Sequence, residues 1–291
     1  MTRRLGWCAF LLASQSVVSC ASDPASSPAS SSTAKATTSI ATTTVPTATV
    51  PTTTTTTVQE TTSTSTSTTS TQPPVITEER VIGQSVQGSD ITAYRMGDPR
   101  GRAVLLIGVI HGDEAKGYGI TQLIRTMPTP PGVDLWIIDS INPDGQFNNT
   151  RENANGVDLN RNVSYNWNYI PQSADNGQYS GEAPADQPET QALETFVTDI
   201  QPNITIFWHQ DANRVSPGGA RRVIPNTFAQ IVGLSTAGTP CTAGCTGTAS
   251  QFVNHAVQGG TAFIVELPGD DEVTQEMVKL HAEATLRVIT L

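Results

Sequence analysis

The sequence predicts one α/β domain with a mixed, mostly parallel central sheet that is flanked by helices. Two observations carry this prediction. Continuous apolar, β-rich runs are typical of strands that are buried on both faces, and segments with helical spacing of apolar residues alternate with them. The four apolar runs occupy residues 103–110, 133–141, 204–209 and 261–267.

Helices are predicted between these strands and at the end of the chain. One follows Glu114, one covers 186–200, and one covers 272–289. In the second segment, Asp186 and Glu189 stand three residues apart, as in a capping box that begins a helix. The apolar residues of that segment recur at helical spacing: Ala192, Leu193, Phe196, Val197 and Ile200.

The first 74 residues are predicted to lie outside the folded domain. Residues 1–20 begin with two arginines, continue through an apolar stretch too short to span a bilayer, and end in VVSC, so they indicate an export signal. VVSC resembles a lipobox, in which Cys20 would become the lipidated first residue; a plain secretory signal is the alternative. Either signal predicts an exported protein, and the lipobox predicts one anchored to the outer face of the bacterial cytoplasmic membrane.

Residues 21–74 are almost entirely Ser, Thr, Ala, Pro and Val. A segment of this composition cannot bury an apolar face, so it is predicted to be a disordered linker. The expected organisation is therefore an export signal over 1–20, a linker over 21–74 and a catalytic domain over 75–291.

Charge and cysteine content restrict the partners of the domain. The chain has 26 acidic and 16 basic residues, a formal net charge of −10, which argues against nucleic acid as a partner. Cys241 and Cys245 are predicted to form a disulfide, as expected for an exported pair of cysteines. A zinc site made by cysteines is the alternative, although two thiols alone do not complete one.

Polar residues at the ends of three apolar runs predict a metal site. His111 and Glu114 follow the first run, and His209 ends the third. Two imidazoles and one carboxylate leave a fourth position open for water, which is the arrangement of a catalytic zinc site. Glu266, at the end of the fourth run, could take a proton from that water. A hydrogen-bonded core histidine at 209 and an ion pair of Glu266 with an arginine are the structural alternatives.

The segment 142–162, NPDGQFNNTRENANGVDLNRN, resembles the M14 type of zinc carboxypeptidase. The family pattern runs H-x-x-E, N-P-D-G, T-R-x-N, G-V-D-x-N-R-N, a later His and a final Glu, and it covers essentially all of residues 100–270. The chain looks most like the bacterial murein-peptide amidase branch. That resemblance implies cleavage of peptides that carry γ-D-glutamyl-diaminopimelate, such as muropeptides.

The resemblance also implies a role for each site residue. His111, Glu114 and His209 would bind one Zn²⁺, and Glu266 would be the general base. Arg151 would stabilise the oxyanion, while Asn160 and Arg161 would bind the terminal carboxylate of the substrate. Asp113 could orient an imidazole or could simply face solvent.

Two features leave the specificity open. Many digestive members of the family place a mobile tyrosine near the catalytic Glu, but this chain has no Tyr after Tyr179. His255 is the obvious ring donor between residues 223 and 265, and the aromatic residues of the 163–185 loop are candidates to line the pocket: Tyr165, Trp167, Tyr169 and Tyr179. The sequence also leaves two other functions open: a zinc deacylase of small N-acyl amino acids, similar to aspartoacylase, and a non-catalytic lipoprotein that binds the cell wall.

Overall fold

The computed structural model describes residues 75–173, 177–237 and 245–291. They contain a sheet of seven strands in the order β1-β2-β4-β3-β5-β7-β6. The strands are β1 Ile76–Gln84, β2 Asp90–Gly97, β3 Arg102–Ile107, β4 Val133–Ile138, β5 Ile204–Gln210, β6 Arg214–Ser216 and β7 Thr261–Leu267. The mixed α/β sheet that the sequence predicts is therefore confirmed.

Four strands in the middle of the sheet are parallel, and antiparallel pairs lie on both sides of them. β4, β3, β5 and β7 pair in parallel. β1 and β2 extend the sheet antiparallel on one side, and β6 pairs antiparallel with β7 on the other. The parallel strands are the four apolar runs of the sequence, which agrees with their burial between two layers of helices.

Helices cover both faces of the sheet. They are α1 Lys116–Ile124, α2 Pro143–Asn148, α3 Leu159–Asn162, α4 Pro188–Ile200, α5 Val223–Val232, α6 Ala249–Ala256 and α7 Gln275–Val288, with a 3-10 turn at Asp270–Glu272. Apolar residues of α1, α5 and α7 pack with one face of the sheet. Those of α3, α4 and α6 pack with the other. The parallel strands are consequently enclosed, and their carboxyl ends open at one edge.

The predicted capping box of α4 is wrong. The residue that precedes the helix is Gln187, which makes no side-chain cap. The Asp186 carboxylate instead accepts backbone hydrogen bonds from residues 182 and 183. Glu189 is fully buried and accepts hydrogen bonds from the Val86 backbone and the Asn153 side chain. The Asp186 carboxylate is thus bound by the loop that precedes the helix, and the Glu189 carboxylate is bound by residues distant in the chain, so neither makes the capping contact that their spacing suggested.

Several predictions fall on residues that the structure does not describe. The export signal over 1–20, lipidation of Cys20 and the linker over 21–74 belong to this group, and they stay predictions. Cys241 also lies outside the described residues, so its disulfide with Cys245 stays a prediction. Within the described ranges, no helix has both the length and the apolar character that are needed to cross a membrane.

Candidate active site

The carboxyl ends of three parallel strands bring the predicted site residues to one edge of the sheet. The loop after β3 carries His111 and Glu114, while β5 ends with His209 and β7 with Glu266. His209 and Glu266 occupy paired positions of adjacent strands, so their side chains stand on the same face. Such an edge is the usual ligand-binding position in an open α/β sheet.

His111, Glu114 and His209 form a compact group of possible metal ligands. Their candidate ligand atoms all lie within 4.8 Å of one another. His111 Nδ1 is 2.9 Å from Glu114 Oε1, and His209 Nδ1 is 2.8 Å from Glu114 Oε2. Both imidazoles are almost completely buried. Two imidazole nitrogens and a carboxylate facing one point fit Zn²⁺ by number and by chemistry.

The loop after β3 approaches the NPDG segment so closely that only glycine fits at position 112. A Cβ atom on Gly112 would stand 2.0 Å from the carbonyl carbon of Gly145. Asn142 strengthens the same contact, because its amide donates to the Ile110 carbonyl at 3.1 Å and to the Arg151 carbonyl at 3.4 Å. The NPDG segment therefore positions the backbone of the residues beside His111 and at Arg151.

Asp158 supports the metal ligands from behind. Its Oδ1 lies 3.0 Å from His111 Nε2, and its Oδ2 accepts from Arg151 Nη2 at 2.9 Å. Burial opposes charge on the His111 ring, but the carboxylates of Asp158 and Glu114 nevertheless raise its pKa to about 9. The same contacts hold the pKa of the Asp158 carboxyl below its usual value despite complete burial. A carboxylate behind a ligating imidazole fixes the ring orientation.

The role of Asp158 in orienting an imidazole was not predicted from the sequence. Asp113 was the candidate for that role, but Asp113 is exposed, whereas Asp158 is fully buried and touches the His111 ring. His111 and Asp158 are 47 positions apart in the chain, so local sequence spacing does not reveal their contact. The feature of the sequence that could have indicated this role is the aspartate within the GVDLNRN segment.

Arg151 is held so that one nitrogen of its guanidinium faces the ligand cluster. Nε and Nη2 donate to Asp158 Oδ2 at 3.2 and 2.9 Å, and Nε also donates to the Gly177 carbonyl at 3.1 Å. Nη1 donates to Glu114 Oε1 at 2.8 Å. The guanidinium thus has a fixed orientation, and its positive charge lies beside the metal ligands.

Glu266 lies beside the ligand cluster with its carboxylate free of ion pairs. Its side chain is 7% exposed, and no side-chain nitrogen of a lysine, arginine or histidine in the described residues lies within 4.0 Å of its carboxylate oxygens. Burial raises the pKa of Glu266, and the charge of Glu114 raises it further, while His209 opposes both. The buried ion pair that was the structural alternative for Glu266 is therefore not found among these residues.

A cavity of about 560 Å³ contains all seven predicted site residues in its wall. They are His111, Glu114, Arg151, Asn160, Arg161, His209 and Glu266. Asn160 Oδ1 accepts from the Ala249 backbone at 3.0 Å, which joins the site to the first residue of α6. Arg161 is 8% exposed, and its Nη1 donates to the Asn160 carbonyl at 2.7 Å. Their catalytic and binding roles stay predictions.

The aromatic residues that were candidates for the pocket do not contribute to its wall. The cavity is lined by Gln178 and Gln251, and by none of the four aromatic residues of the 163–185 loop nor by His255. Tyr165 instead stacks on the His255 ring, with 4.0 Å between the ring centres. The loop and α6 are consequently joined by this stack, outside the cavity.

Curated relatives include bacterial amidases. Murein peptide amidase A of Escherichia coli (strain K12) is 31% identical over 138 residues, which is 44% of this chain and 57% of the relative. Carboxypeptidase SOL1 of Arabidopsis thaliana is 30% identical over 137 residues, covering 41% of this chain and 26% of the relative. The chain thus matches little more than half the length of the curated amidase.

Solved structures share the fold over a larger part of the chain. Murein-tripeptide amidase of Escherichia coli O157 aligns with a TM-score of 0.55 at 24% identity, over 72% of this chain and 91% of that one. Carboxypeptidase A of Helicoverpa armigera aligns with a TM-score of 0.58 at 19% identity, over 74% of this chain and 67% of that one. At these identities, the likeness concerns the fold.

The family is identified by the sequence model described as zinc carboxypeptidase, which matches residues 63–225. This match covers more than half of the chain, and it includes His111, Glu114 and His209. The ligand set fits the zinc ion for which the family is named. The chain therefore belongs to the zinc carboxypeptidase family.

Proposed function

We propose that this protein is a zinc-dependent hydrolase of the carboxypeptidase and amidase type. It would cleave an amide bond next to a free carboxylate, in peptides derived from the cell wall. The observation that carries the proposal is one cavity wall that combines three possible zinc ligands, a carboxylate without an ion pair and a buried arginine. Each of these groups supplies a function that the reaction requires.

The first requirement is an attacking water and a group that takes its proton. Zinc bound by His111, Glu114 and His209 would polarise the scissile carbonyl and lower the pKa of the water. Glu266 would accept the proton, since it lies beside His209 in the sheet register and forms no ion pair within the described residues. The same carboxyl group would then deliver the proton to the leaving nitrogen.

The second requirement is stabilisation of negative charge on the carbonyl oxygen. Arg151 supports this role because Asp158 and the Gly177 carbonyl hold two of its nitrogens, while Nη1 faces the metal ligands. A cation that is already oriented stabilises developing charge without the cost of reorganisation during the reaction.

The third requirement is recognition of the terminal carboxylate. Arg161 is buried in the cavity wall, and only its Nη1 has a hydrogen-bond acceptor within the part of the chain that the structure describes. Asn160 uses its amide oxygen to bind the Ala249 backbone, so the amide nitrogen remains available. A guanidinium and an amide at this position suit a substrate carboxylate.

Cell-wall peptides are the proposed substrates because the curated relatives include murein peptide amidases. The predicted export signal and the resemblance of VVSC to a lipobox agree with this choice, and we propose that the protein acts outside the cytoplasmic membrane. A deacylase of small N-acyl amino acids and a non-catalytic binding protein are the other candidates. Hydrolysis of N-acyl amino acids but not of peptides would support the deacylase.

The test uses zinc-loaded protein, a panel of muropeptides and ordinary peptides, and mass spectrometry to identify the cleaved bond. We expect cleavage of substrates with a free terminal carboxylate, and much weaker cleavage when that carboxylate is an amide. Equal cleavage of both forms would contradict the exopeptidase assignment. An absence of cleavage across the panel, with zinc bound, would contradict the proposed function.

Glu266→Gln tests the proposed base. We expect turnover to fall by roughly 10² to 10⁴-fold, with zinc content and melting temperature close to those of the parent, because the amide keeps the shape of the carboxylate. Glu276→Gln, an exposed position in the first turn of α7, is the matched control. Turnover of Glu266→Gln within a few-fold of the parent would remove Glu266 from the mechanism.

A further inference from the structure

A tight turn brings Arg151 and Asp158 together, although they are seven positions apart in the chain. The Asn153 backbone nitrogen donates to the Val157 carbonyl at 3.0 Å, and the Gly156 nitrogen donates to the Asn153 carbonyl at 2.9 Å. Asp158 Oδ2 accepts from both Nε and Nη2 of Arg151 across the two ends of this turn. The shape of the turn therefore helps to set the position of the guanidinium.

The Asn153 side chain holds this turn with both its oxygen and its nitrogen. Its Oδ1 accepts from the backbone nitrogens of Asn155 and Val157, each at 3.1 Å. Its Nδ2 donates to Gln187 Oε1 at 2.9 Å and to Glu189 Oε2 at 3.0 Å. The residue is only 3% exposed, so water has little access to replace a lost partner.

The Glu189 carboxylate is completely buried without a counter-ion. In the described ranges, no side-chain nitrogen of a lysine, arginine or histidine lies within 4.0 Å of its oxygens, although burial of an unpaired charge is costly. Its Oε1 accepts from the Val86 nitrogen at 3.0 Å, and its Oε2 accepts from Asn153 Nδ2. Because both partners are donors, a neutral amide could satisfy only one of them.

The Val86 contact joins these residues to the turn between β1 and β2. Asp144 binds the same turn from α2, at 2.8 Å from a serine hydroxyl and at 2.9 Å from a backbone nitrogen. Within the part of the chain that the structure describes, Asp144 forms no hydrogen bond with residues 151–158. Two buried carboxylates thus bind one turn, but only Glu189 also binds Asn153.

We propose that Glu189 is a positioning residue, which acts through Asn153 to hold Arg151 in the orientation that stabilises the oxyanion. This inference rests on the role proposed for Arg151 in the reaction. Asp158, at the other end of the turn, has two further contacts, because its Oδ1 accepts from a backbone nitrogen and its own nitrogen donates to a carbonyl, both at 2.8 Å. Loss of the Glu189 contact should therefore displace Arg151 more than Asp158.

Glu189→Gln keeps the size of the side chain and places an NH₂ group against a donor. We expect kcat to fall by about 10 to 100-fold, with KM and zinc affinity within a few-fold of the parent, because the oxyanion forms only in the reaction. Asp144→Asn is the matched control, and it should lower the melting temperature but keep kcat. If Glu189→Gln also keeps kcat, assayed well below its melting temperature, its role is structural and the inference is overturned.

Glu189→Gln combined with Asn153→Asp exchanges the donor and the acceptor of this contact. In the double variant, the amide at position 189 can accept from the Val86 nitrogen and donate to the carboxylate at position 153. Asn153→Asp alone places two buried carboxylates against each other, so we expect the double variant to have a higher kcat than either single variant. A kcat no higher than that of the single variants would overturn the inference.

Gln187→Leu provides a milder perturbation if the single variants do not fold. It removes only the other acceptor of Asn153 Nδ2, and we expect kcat to fall by about threefold or more. An unchanged kcat in this variant would overturn the inference.

Arg151→Met separates failure of this inference from failure of the proposed function. We expect it to lower kcat by roughly 10² to 10³-fold, and the addition of Glu189→Gln should then change kcat only a few-fold further. A parent-like kcat in Arg151→Met would contradict the proposed role of Arg151. A low kcat in Arg151→Met with a parent-like kcat in Glu189→Gln, or an equal loss from Glu189→Gln in both backgrounds, would overturn the positioning inference alone.

Discussion

Asp158→Asn offers a direct test of how the metal site is supported. Asp158 Oδ1 contacts His111 Nε2 at 3.0 Å and the Asn160 backbone nitrogen at 2.8 Å, while Oδ2 accepts two hydrogen bonds from Arg151. An asparagine has one oxygen and one NH₂ group in the same volume. In either orientation, the NH₂ group would face a donor, so either the imidazole or the guanidinium loses its acceptor.

The expected size of the effect follows from these contacts. Changing a residue that orients a metal-binding histidine typically lowers metal affinity by roughly 10 to 100-fold, or about 1.4 to 2.7 kcal/mol. The side chain is fully buried, and removal of one partner from a buried ion pair costs about 3 to 5 kcal/mol. We therefore expect both weaker zinc binding and a lower free energy of unfolding for Asp158→Asn.

The assay is a competition between the protein and a zinc chelator, combined with urea unfolding. Asp144→Asn is the matched control, because Asp144 is also buried but accepts from the neutral groups Ser85 Oγ, Ser89 Oγ and the Gln87 backbone. It should lose stability by about 1 to 3 kcal/mol and keep its zinc affinity. Unchanged zinc affinity in Asp158→Asn would refute the argument that Asp158 supports the site.

Three further outcomes are expected. Removal of zinc by a chelator should abolish turnover and lower the melting temperature, and added zinc should restore both in the parent but not in His209→Ala. An equal response of parent and variant would contradict the ligand assignment. Burial lowers the pKa of His281 from 6.5 to about 4, so the unfolded chain binds a proton that the folded chain does not, and roughly 3 kcal/mol of stability should be lost as the pH falls from about 6.5 to about 4. His281→Leu should lack this component in urea unfolding at both pH values. If Cys20 is lipidated, Cys20→Ser should move the protein out of the membrane fraction, and equal retention would count against the anchor.

The predicted parts of the fold were those with a strong local signal. β7 begins and ends as its apolar run suggested, and His209 and Glu266 follow from the ends of such runs. The run at 103–110 continues three residues beyond β3, which ends at Ile107, because residues 108–110 form a buried loop that is hydrogen-bonded to residues 138–142. Apolar content alone cannot separate a buried loop from a buried strand.

The missed parts depend on contacts between distant residues. β1 is an edge strand in which partly buried and exposed residues alternate, with several charged side chains, so it lacks an apolar run. β6 has only three residues, too few for an alternation to be recognised. The loss of the predicted capping contact at Glu189 has the same origin, because its partners Val86 and Asn153 are distant in the chain.

Many polar residues of the segment from 142 to 162 hold the loops around the site in place and have no assigned role in the reaction. The Asn142 amide nitrogen donates to the carbonyl of Ile110, which precedes His111, and to the carbonyl of Arg151. Its amide oxygen caps α2 by accepting from the Gly145 nitrogen. Asp144 binds the turn between β1 and β2 through Ser85 and the Gln87 backbone. In such a segment, buried polar groups are satisfied by backbone partners, which fixes loops that helices and strands do not reach. The loops that carry His111 and Arg151 are thereby held to each other, and this explains why so many polar residues surround a site whose chemistry requires only a few.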